Sequence, residues 1–260
     1  VGEINLVSQD TTAYGRDRYG SPRLVELLRE LTKIEGPHWW RLLYLYPTTL
    51  RDDVLDEIAS NDRIASYVDI PLQHMSTAVL RRMRRGITGE RQRALLERMR
   101  ERIPGVAIRT TMITGFPGET DEDHRILLEA VQDGLFDRLG VFTFSREEGT
   151  PSHDMEGMVP ASLMEERRAE LMEAQARVHF ARAADMVGRE LDVLLETLEP
   201  LAYRAQGRTE YDAPDVDGVV RIHGIQGGRP GAVVRVRITE ADGYDLVGEP
   251  VALPETGGAS

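Results

Sequence analysis

Residues 106–133 read Val-Ala-Ile-Arg-Thr-Thr-Met-Ile-Thr-Gly-Phe-Pro-Gly-Glu-Thr-Asp-Glu-Asp-His-Arg-Ile-Leu-Leu-Glu-Ala-Val-Gln-Asp. The apolar run Val106–Ile113 predicts a strand, and a helical spacing of apolar residues follows from Glu122 to Asp133. Between them lies the turn Gly115-Phe116-Pro117-Gly118-Glu119. Thr120 and Asp123 stand where a helix N-cap and its reciprocal partner belong. This is one β–α step, and the rest of the first two-thirds of the chain repeats it.

Ile4–Val7 predicts a strand ending in Ser8-Gln9-Asp10, with a helix over Arg23–Leu31. Trp40–Tyr46 predicts a second strand, stopped by Pro47, with a helix over Leu50–Ser60. Tyr67–Leu72 is the third, ending in Gln73-His74, before an arginine-rich helical stretch from Ala78 to Arg102. Leu139–Phe144 is the fifth, ending in Ser145-Arg146-Glu147-Glu148-Gly149. Such alternation predicts an α/β fold with parallel strands, and right-handed crossovers put every strand's C-terminal end on one face. The polar clusters all fall at those ends, where α/β folds build their sites. Five strands are too few for a closed eight-stranded barrel, so the expectation is a partial TIM-like barrel lacking its start. After a long helix, Pro160–Met186, the texture changes to short Val-rich segments: Leu191–Leu198, Ala202–Thr209, Gly218–His223, Ala232–Thr239 and Tyr244–Val251. Their even spacing predicts a small five-stranded β-barrel of the oligonucleotide-binding type. The expected organisation is therefore 1–187 for the α/β unit with its helix, 188–254 for the β-barrel, and 255–260 as a tail.

The chain has 260 residues and a net charge of −12, with 32 basic side chains of which only Lys33 is lysine. An acidic balance disfavours nonspecific grip on a phosphate backbone and favours a basic partner. No apolar run reaches the length that spans a bilayer and no signal peptide opens the chain, which predicts a cytoplasmic protein with no membrane partner. Zero cysteines exclude thiolate-held zinc or iron–sulfur clusters within this stretch. The chain also begins inside the approach to a strand, which points to a piece of a longer protein.

Several constellations could carry chemistry. The glycines of the 115–119 turn would let backbone approach a ligand, and the following helix end would offer free N–H groups; equally, this is an ordinary tight turn. It matches neither the Walker loop nor the dinucleotide fingerprint. Gln9-Asp10 and Gln73-His74 could hydrogen-bond a small polar ligand in a barrel mouth, or could simply cap strand ends in water. Nine arginines between Arg81 and Arg102 read better as a solvated face paired with Glu90, Glu97 and Glu101 than as a nucleic-acid patch. Trp39 and Trp40 read as core. The six histidines are scattered, and no Ser sits in a nucleophile elbow.

Seven stretches together resemble the radical S-adenosylmethionine (SAM) methylthiotransferases: Leu6–Gly15, Arg41–Pro47, Asp69–His74, Gly115–Thr120, Phe136–Gly140, Ser145–Pro151 and Tyr244–Glu249. They run over nearly the whole chain. The forms Gln9-Asp10-Thr11-Thr12 and Asp69-Ile70-Pro71-Leu72-Gln73-His74 are similar to the branch that methylthiolates an aspartate of ribosomal protein S-twelve. The resemblance implies a radical SAM partial barrel followed by a TRAM domain, the small barrel inferred above. It implies SAM and two 4Fe–4S clusters in the full-length protein, an electron donor, a radical that abstracts hydrogen from the substrate carbon, and a second cluster that delivers the methylthio group. It places Gln9, Gln73, Gly115, Phe116, Pro117, Gly118 and Glu119 along the SAM site, with Val141 and Phe142 flanking the adenine. Asp10, Tyr46 and His74 would face the same mouth toward the substrate.

The departure is the absence of every cluster cysteine, both the C-x-x-x-C-x-x-C loop and those of an N-terminal domain. The stretch alone is therefore expected to be inactive, with activity residing in its parent. Residues 189–260 hold 13 acidic and 7 basic side chains, which suits a basic ribosomal protein better than tRNA. The alternatives are a tRNA-adenosine methylthiotransferase and a non-catalytic relic that binds SAM or the ribosomal protein.

Overall fold

The computed structural model describes residues 1–202 and 204–251; the expected tail 255–260 and the end of the expected barrel, 252–254, lie outside the described residues. The first part of the chain runs β1 (Glu3–Leu6), α1 (Arg16–Tyr19), α2 (Leu24–Leu31), β2 (Trp39–Leu42), α3 (Asp52–Ser60), β3 (Ile64–Asp69) and α4 (Thr77–Arg82). It continues with α5 (Gly89–Arg102), β4 (Ala107–Thr114), α6 (Asp121–Gln132), β5 (Arg138–Thr143) and α7 (Ala161–Ala184). The five strands pair in parallel in the order β1-β2-β3-β4-β5. An unreversed order with helical crossovers is an arc of a (β/α) barrel, as the alternation predicts.

Strand periodicity divides the side chains between two faces. Leu42, Val68, Ile108, Met112 and Val141 pack with Leu28, Leu55, Leu96, Leu127 and Leu171 of the helices in one core. The other face carries Glu3, Arg41, Tyr67, Asp69, Arg109 and Arg138. Its foot is covered by the second unit, with Trp39, Ala65, Tyr67 and Ala107 packing against Leu194 and Ala213.

That unit is built from β6 (Glu190–Glu199), β7 (Arg204–Arg208), β8 (Val220–His223), β9 (Val233–Asp242) and β10 (Asp245–Pro250). The strands close as β10-β8-β7-β6-β9 around Val193, Leu195, Val220, Ile222, Val236 and Ile238. Buried ion pairs tie it to the sheet. Arg41 bonds both oxygens of Glu3 and the Glu210 carbonyl, and Arg208 reaches Glu3 from the barrel at 3.1 Å. Tyr67 donates to Asp217 at 2.6 Å, and Arg138 bonds Asp212 at 2.7 Å.

Three elements differ from expectation. The second strand stops at Leu42 because Tyr44 takes a left-handed conformation (φ 57°) and donates its amide to Asp69 at 3.0 Å. The helical stretch 78–102 breaks into α4 and α5, with Arg84 and Gly86 both at positive φ. A Cβ on Gly89 would lie 2.0 Å from the Met75 carbonyl, so α5 starts where it does by close backbone approach. The arginines of this stretch do not pair with the interleaved glutamates. Arg93 bonds Asp133, Arg98 and Arg102 bond Asp52, and Arg100 bonds Asp137, all on neighbouring elements. Among the described residues no helix is long and apolar enough to cross a membrane.

Candidate functional site

The C-terminal ends of β1–β5 open onto one mouth, and two of the four non-glycine residues at positive φ among the described residues lie there, Tyr44 and Gln73 (φ 73°). Side chains held in that region store strain that the surroundings must over-determine. At Gln73 the cause is visible: its amide donates to the Thr111 carbonyl and its carbonyl accepts from Ile113, so the segment after β3 is pinned to β4. The half-buried Gln73 side chain thereby stands at the mouth beside β4. Gln9 is exposed after β1, and Asp10 accepts from the Thr12 hydroxyl. Phe142 is 62% exposed at the end of β5, opposite Ile113 of β4, and an aromatic face left so open is uncommon at a strand position. Tyr46 is half-buried with the Arg85 guanidinium 4.7 Å from its ring centroid.

Val141 does not join Phe142 there. Adjacent strand residues point to opposite faces, and Val141 is buried in the helix-side core. His74 does not face the mouth either. Its side chain is fully buried, Nδ1 accepts from the Ser76 amide at 2.9 Å, and burial pushes its pKa down to about 4. The neutral ring therefore carries its proton on Nε2, 3.8 Å from Glu119 Oε2.

The turn 115–119 is built differently from a ligand cradle. The buried Glu119 carboxylate accepts from the Gly115 amide at 2.6 Å and the Phe116 amide at 3.3 Å, and Arg167 of α7 bonds it at 2.9 Å. The Gly118 amide donates to the Gly157 carbonyl and the Glu119 amide to Phe116. At the helix start Thr120 and Asp123 form a complete capping box. Every N–H from Gly115 to Thr120 is thus spoken for, and Pro117 has none, so the turn itself offers a ligand no free donor. The glycines serve packing. A Cβ on Gly115 would fall 2.3 Å from Met164 Cγ, and one on Gly118 2.5 Å from Arg82 Cζ. Phe116 and Pro117 are buried, so the turn shapes the mouth through its backbone. Burial raises the Glu119 pKa, opposed by the Gly115 amide and Arg167.

Deeper on the same face lies a pair with no counterpart in the sequence-based reading. Arg109 bonds Asp69 at 2.9 Å, and the second Asp69 oxygen takes the Tyr44 amide. The signal was available: Arg109 interrupts an otherwise apolar strand at the parity of Thr111 and Ile113. Among the described residues no group of three His, Cys, Asp or Glu side chains could hold a metal ion.

Comparison with known proteins adds the following. The radical SAM superfamily model matches residues 1–131 and the TRAM domain model residues 187–251. Similar relatives carry the name ribosomal protein uS12 methylthiotransferase RimO. The Geobacter sulfurreducens protein is 45% identical over 251 residues, covering 96% of this chain and 56% of that protein. The Sorangium cellulosum protein is 45% identical, covering 99% and 54%, and the Aquifex aeolicus protein 43%, covering 95% and 58%. The chain thus spans a little over half the length of the curated relatives it matches. Among solved structures, coproporphyrinogen III oxidase HemN from Escherichia coli, titled a radical SAM enzyme, superposes with a TM-score of 0.50 at 19% identity. It covers 68% of this chain and 39% of HemN, a likeness of fold.

Proposed function

The chain belongs to the radical SAM superfamily, and from that membership we propose that it is the barrel and TRAM portion of a methylthiotransferase acting on an aspartate of ribosomal protein uS12. The observation that carries this reading is identity of about 45%, sustained across both units, with relatives of that name. Division at residue 187, between the barrel with its linker helix and the TRAM unit, belongs to the same reading.

The two cofactor types fare differently against the residues present. An iron–sulfur cluster needs thiolates, and the chain contains no cysteine, so no cluster is held here and no step is assigned to one. SAM fits the mouth better. The uncovered ring of Phe142 offers a nucleoside base an apolar face, and the amides of Gln9 and Gln73 offer hydrogen bonds to its polar groups. When bound beside a reduced cluster, SAM supplies the hydrogen-abstracting chemistry. The chain's own residues bind and orient: Gln73 is fixed by its strained backbone, and Glu119 with Arg167 sets the wall of the mouth. Asp10 and Tyr46 stand nearby for substrate contact, whereas His74 acts only from beneath, through the Glu119 wall.

The TRAM barrel supports a basic partner. Four of its arginines are held by its own acids, Arg221 by Asp242, Arg235 by Asp192, Arg237 by Glu190 and Arg208 by Glu196, while Arg189, Arg204 and Arg229 are exposed with no ion pair among the described residues. Glu199, Asp215, Glu240 and Glu249 are exposed and have no ion pair among the described residues. Such a surface repels a phosphate backbone and attracts a cationic protein. Titration of the 260-residue chain with purified uS12 and with tRNA, at low and physiological salt, tests the assignment. Tighter binding of uS12 is expected; preference for tRNA would reassign the chain to the nucleoside-modifying branch. Equilibrium dialysis with labelled SAM is expected to show binding that Phe142→Ala weakens several-fold.

A further inference from the structure

Arg109 differs from the other arginines gathered where the inner face of the sheet meets the barrel. Arg41 bonds both Glu3 oxygens and a carbonyl, Arg208 bonds Glu196, Glu3 and a carbonyl, and Arg138 bonds Asp212 and His179. Arg109 makes one bond, from Nη1 to Asp69. Its side chain is 23% exposed, against 1% for that of Asp69. Asp69 is otherwise satisfied by the Tyr44 amide, so it anchors the guanidinium without needing its remaining donors. Nε and Nη2 are left for another acceptor.

Arg109 lies on the same face of the sheet as the mouth, nearer its foot. On β4 the inner-face order is Arg109, Thr111, Ile113, and their β5 partners are Arg138, Gly140 and Phe142. Gly140 has no side chain, and a Cβ there would meet nothing nearer than 3.8 Å, so no side chain of β5 fills the inner face between Phe142 and Arg138. Four residues of strand separate Ile113 from Arg109, about 13 Å. Arg109 and Gly140 also line a cavity of about 370 Å³ shared with Gln175 and His179 of α7 and with Asp217 and Asp245 of the second unit. Asp217 already accepts from Tyr67 and the Ala213 amide.

We propose that Arg109 is the specificity residue that reads the carboxylate of the substrate aspartate. This rests on the function proposed above. A guanidinium fixed on one side by a buried carboxylate presents its free edge as a planar fork, the geometry that matches a second carboxylate bidentately. The β-carbon of an aspartate is one bond from that carboxylate. Gripping the carboxylate from below therefore leaves the β-methylene on the side of the guanidinium that faces the mouth. Asparagine offers one acceptor oxygen and an amide that meets Arg109 donor to donor, so it is rejected.

The test measures fluorescence anisotropy of a labelled basic peptide bearing a single central aspartate, and of its asparagine twin, with the 260-residue chain. The wild type is expected to bind the aspartate peptide at least tenfold more tightly. Arg109→Lys keeps a cation beside Asp69 and loses the fork, and discrimination is expected to fall to threefold or less, with far-UV circular dichroism confirming the fold. Should that variant fail to fold, the arginine Nε–H spectrum of the ¹⁵N-labelled wild type replaces it: one buried Nε–H is expected to shift with the aspartate peptide only. Equal binding of the two peptides by the wild type, discrimination unchanged in Arg109→Lys, or no aspartate-dependent Nε–H shift would each overturn the role of Arg109 while leaving the proposed function standing. Binding of neither peptide and no binding of uS12 would overturn both.

Discussion

His74 and Glu119 lie 3.8 Å apart with neither side chain reaching solvent, and burial drives both toward neutrality, His74 by lowering its pKa and Glu119 by raising it. The consequences for stability have opposite signs. A histidine whose pKa falls from 6.5 to about 4 on folding stabilises fully above pH 6.5, and that contribution is lost as pH falls toward 4 because the unfolded chain takes up the proton first. For the wholly buried His74 the full effect is roughly 3 kcal/mol. His179, also lowered to about 4 with burial as the first cause, acts in the same direction. Glu119 contributes stability at low pH that is lost as pH rises through its raised pKa, so it offsets part of the change. Urea midpoints measured from pH 7 to pH 4 are expected to decline through this window, and to decline less in His74→Gln. Glu119→Gln removes the partner of the buried Arg167 and weakens the hold on two turn amides; a loss of about 3 kcal/mol is expected in urea unfolding at pH 7.

At the scale of elements, the start of α6 was legible because cap and partner lie within four residues of one another, Thr120 and Asp123. Thr120→Ala is expected to cost about 1 kcal/mol of unfolding free energy in urea titration. The strands were legible for the same reason, their signal being local alternation, and only their ends moved. What local pattern could not give is the fate of groups whose partners are remote. The turn's glycines read as open to close approach by a ligand, yet one amide is taken by Gly157, beyond β5, and the carboxylate holding two others is itself held by Arg167 of α7. His74 follows a strand as Gln9-Asp10 does, but Ser76, Glu119 and Asp123 enclose it. Gly86 offered a break signal inside the long arginine-rich stretch; that the arginines of α5 would pair with Asp52, Asp133 and Asp137 on other elements had no local trace. Parity alone would have separated Val141 from Phe142.

At the scale of the whole molecule, the closed barrel covers the foot of the parallel sheet through charges that neither surface could bury alone. Asp217 accepts from Tyr67 and the Ala213 amide and faces Arg138 at 3.7 Å. Asp217→Ala strands these groups, and a loss of about 3 kcal/mol or more is expected. Calorimetry is expected to show one thermal transition for the wild type and two for this variant, as the sheet and barrel uncouple; one unsplit transition at an unchanged temperature would contradict the coupling. The shared cluster also has a consequence for descent. Glu3, Arg41 and Arg208 complete one another's hydrogen bonds from positions about 200 residues apart in the chain, so a recombination event that exchanges one unit without the other separates a charge from its counter-charge. A chimera joining the sheet of one relative to the barrel of another is therefore expected to keep this contact only where its barrel supplies an arginine at the position of Arg208 and its sheet an acid at that of Glu3.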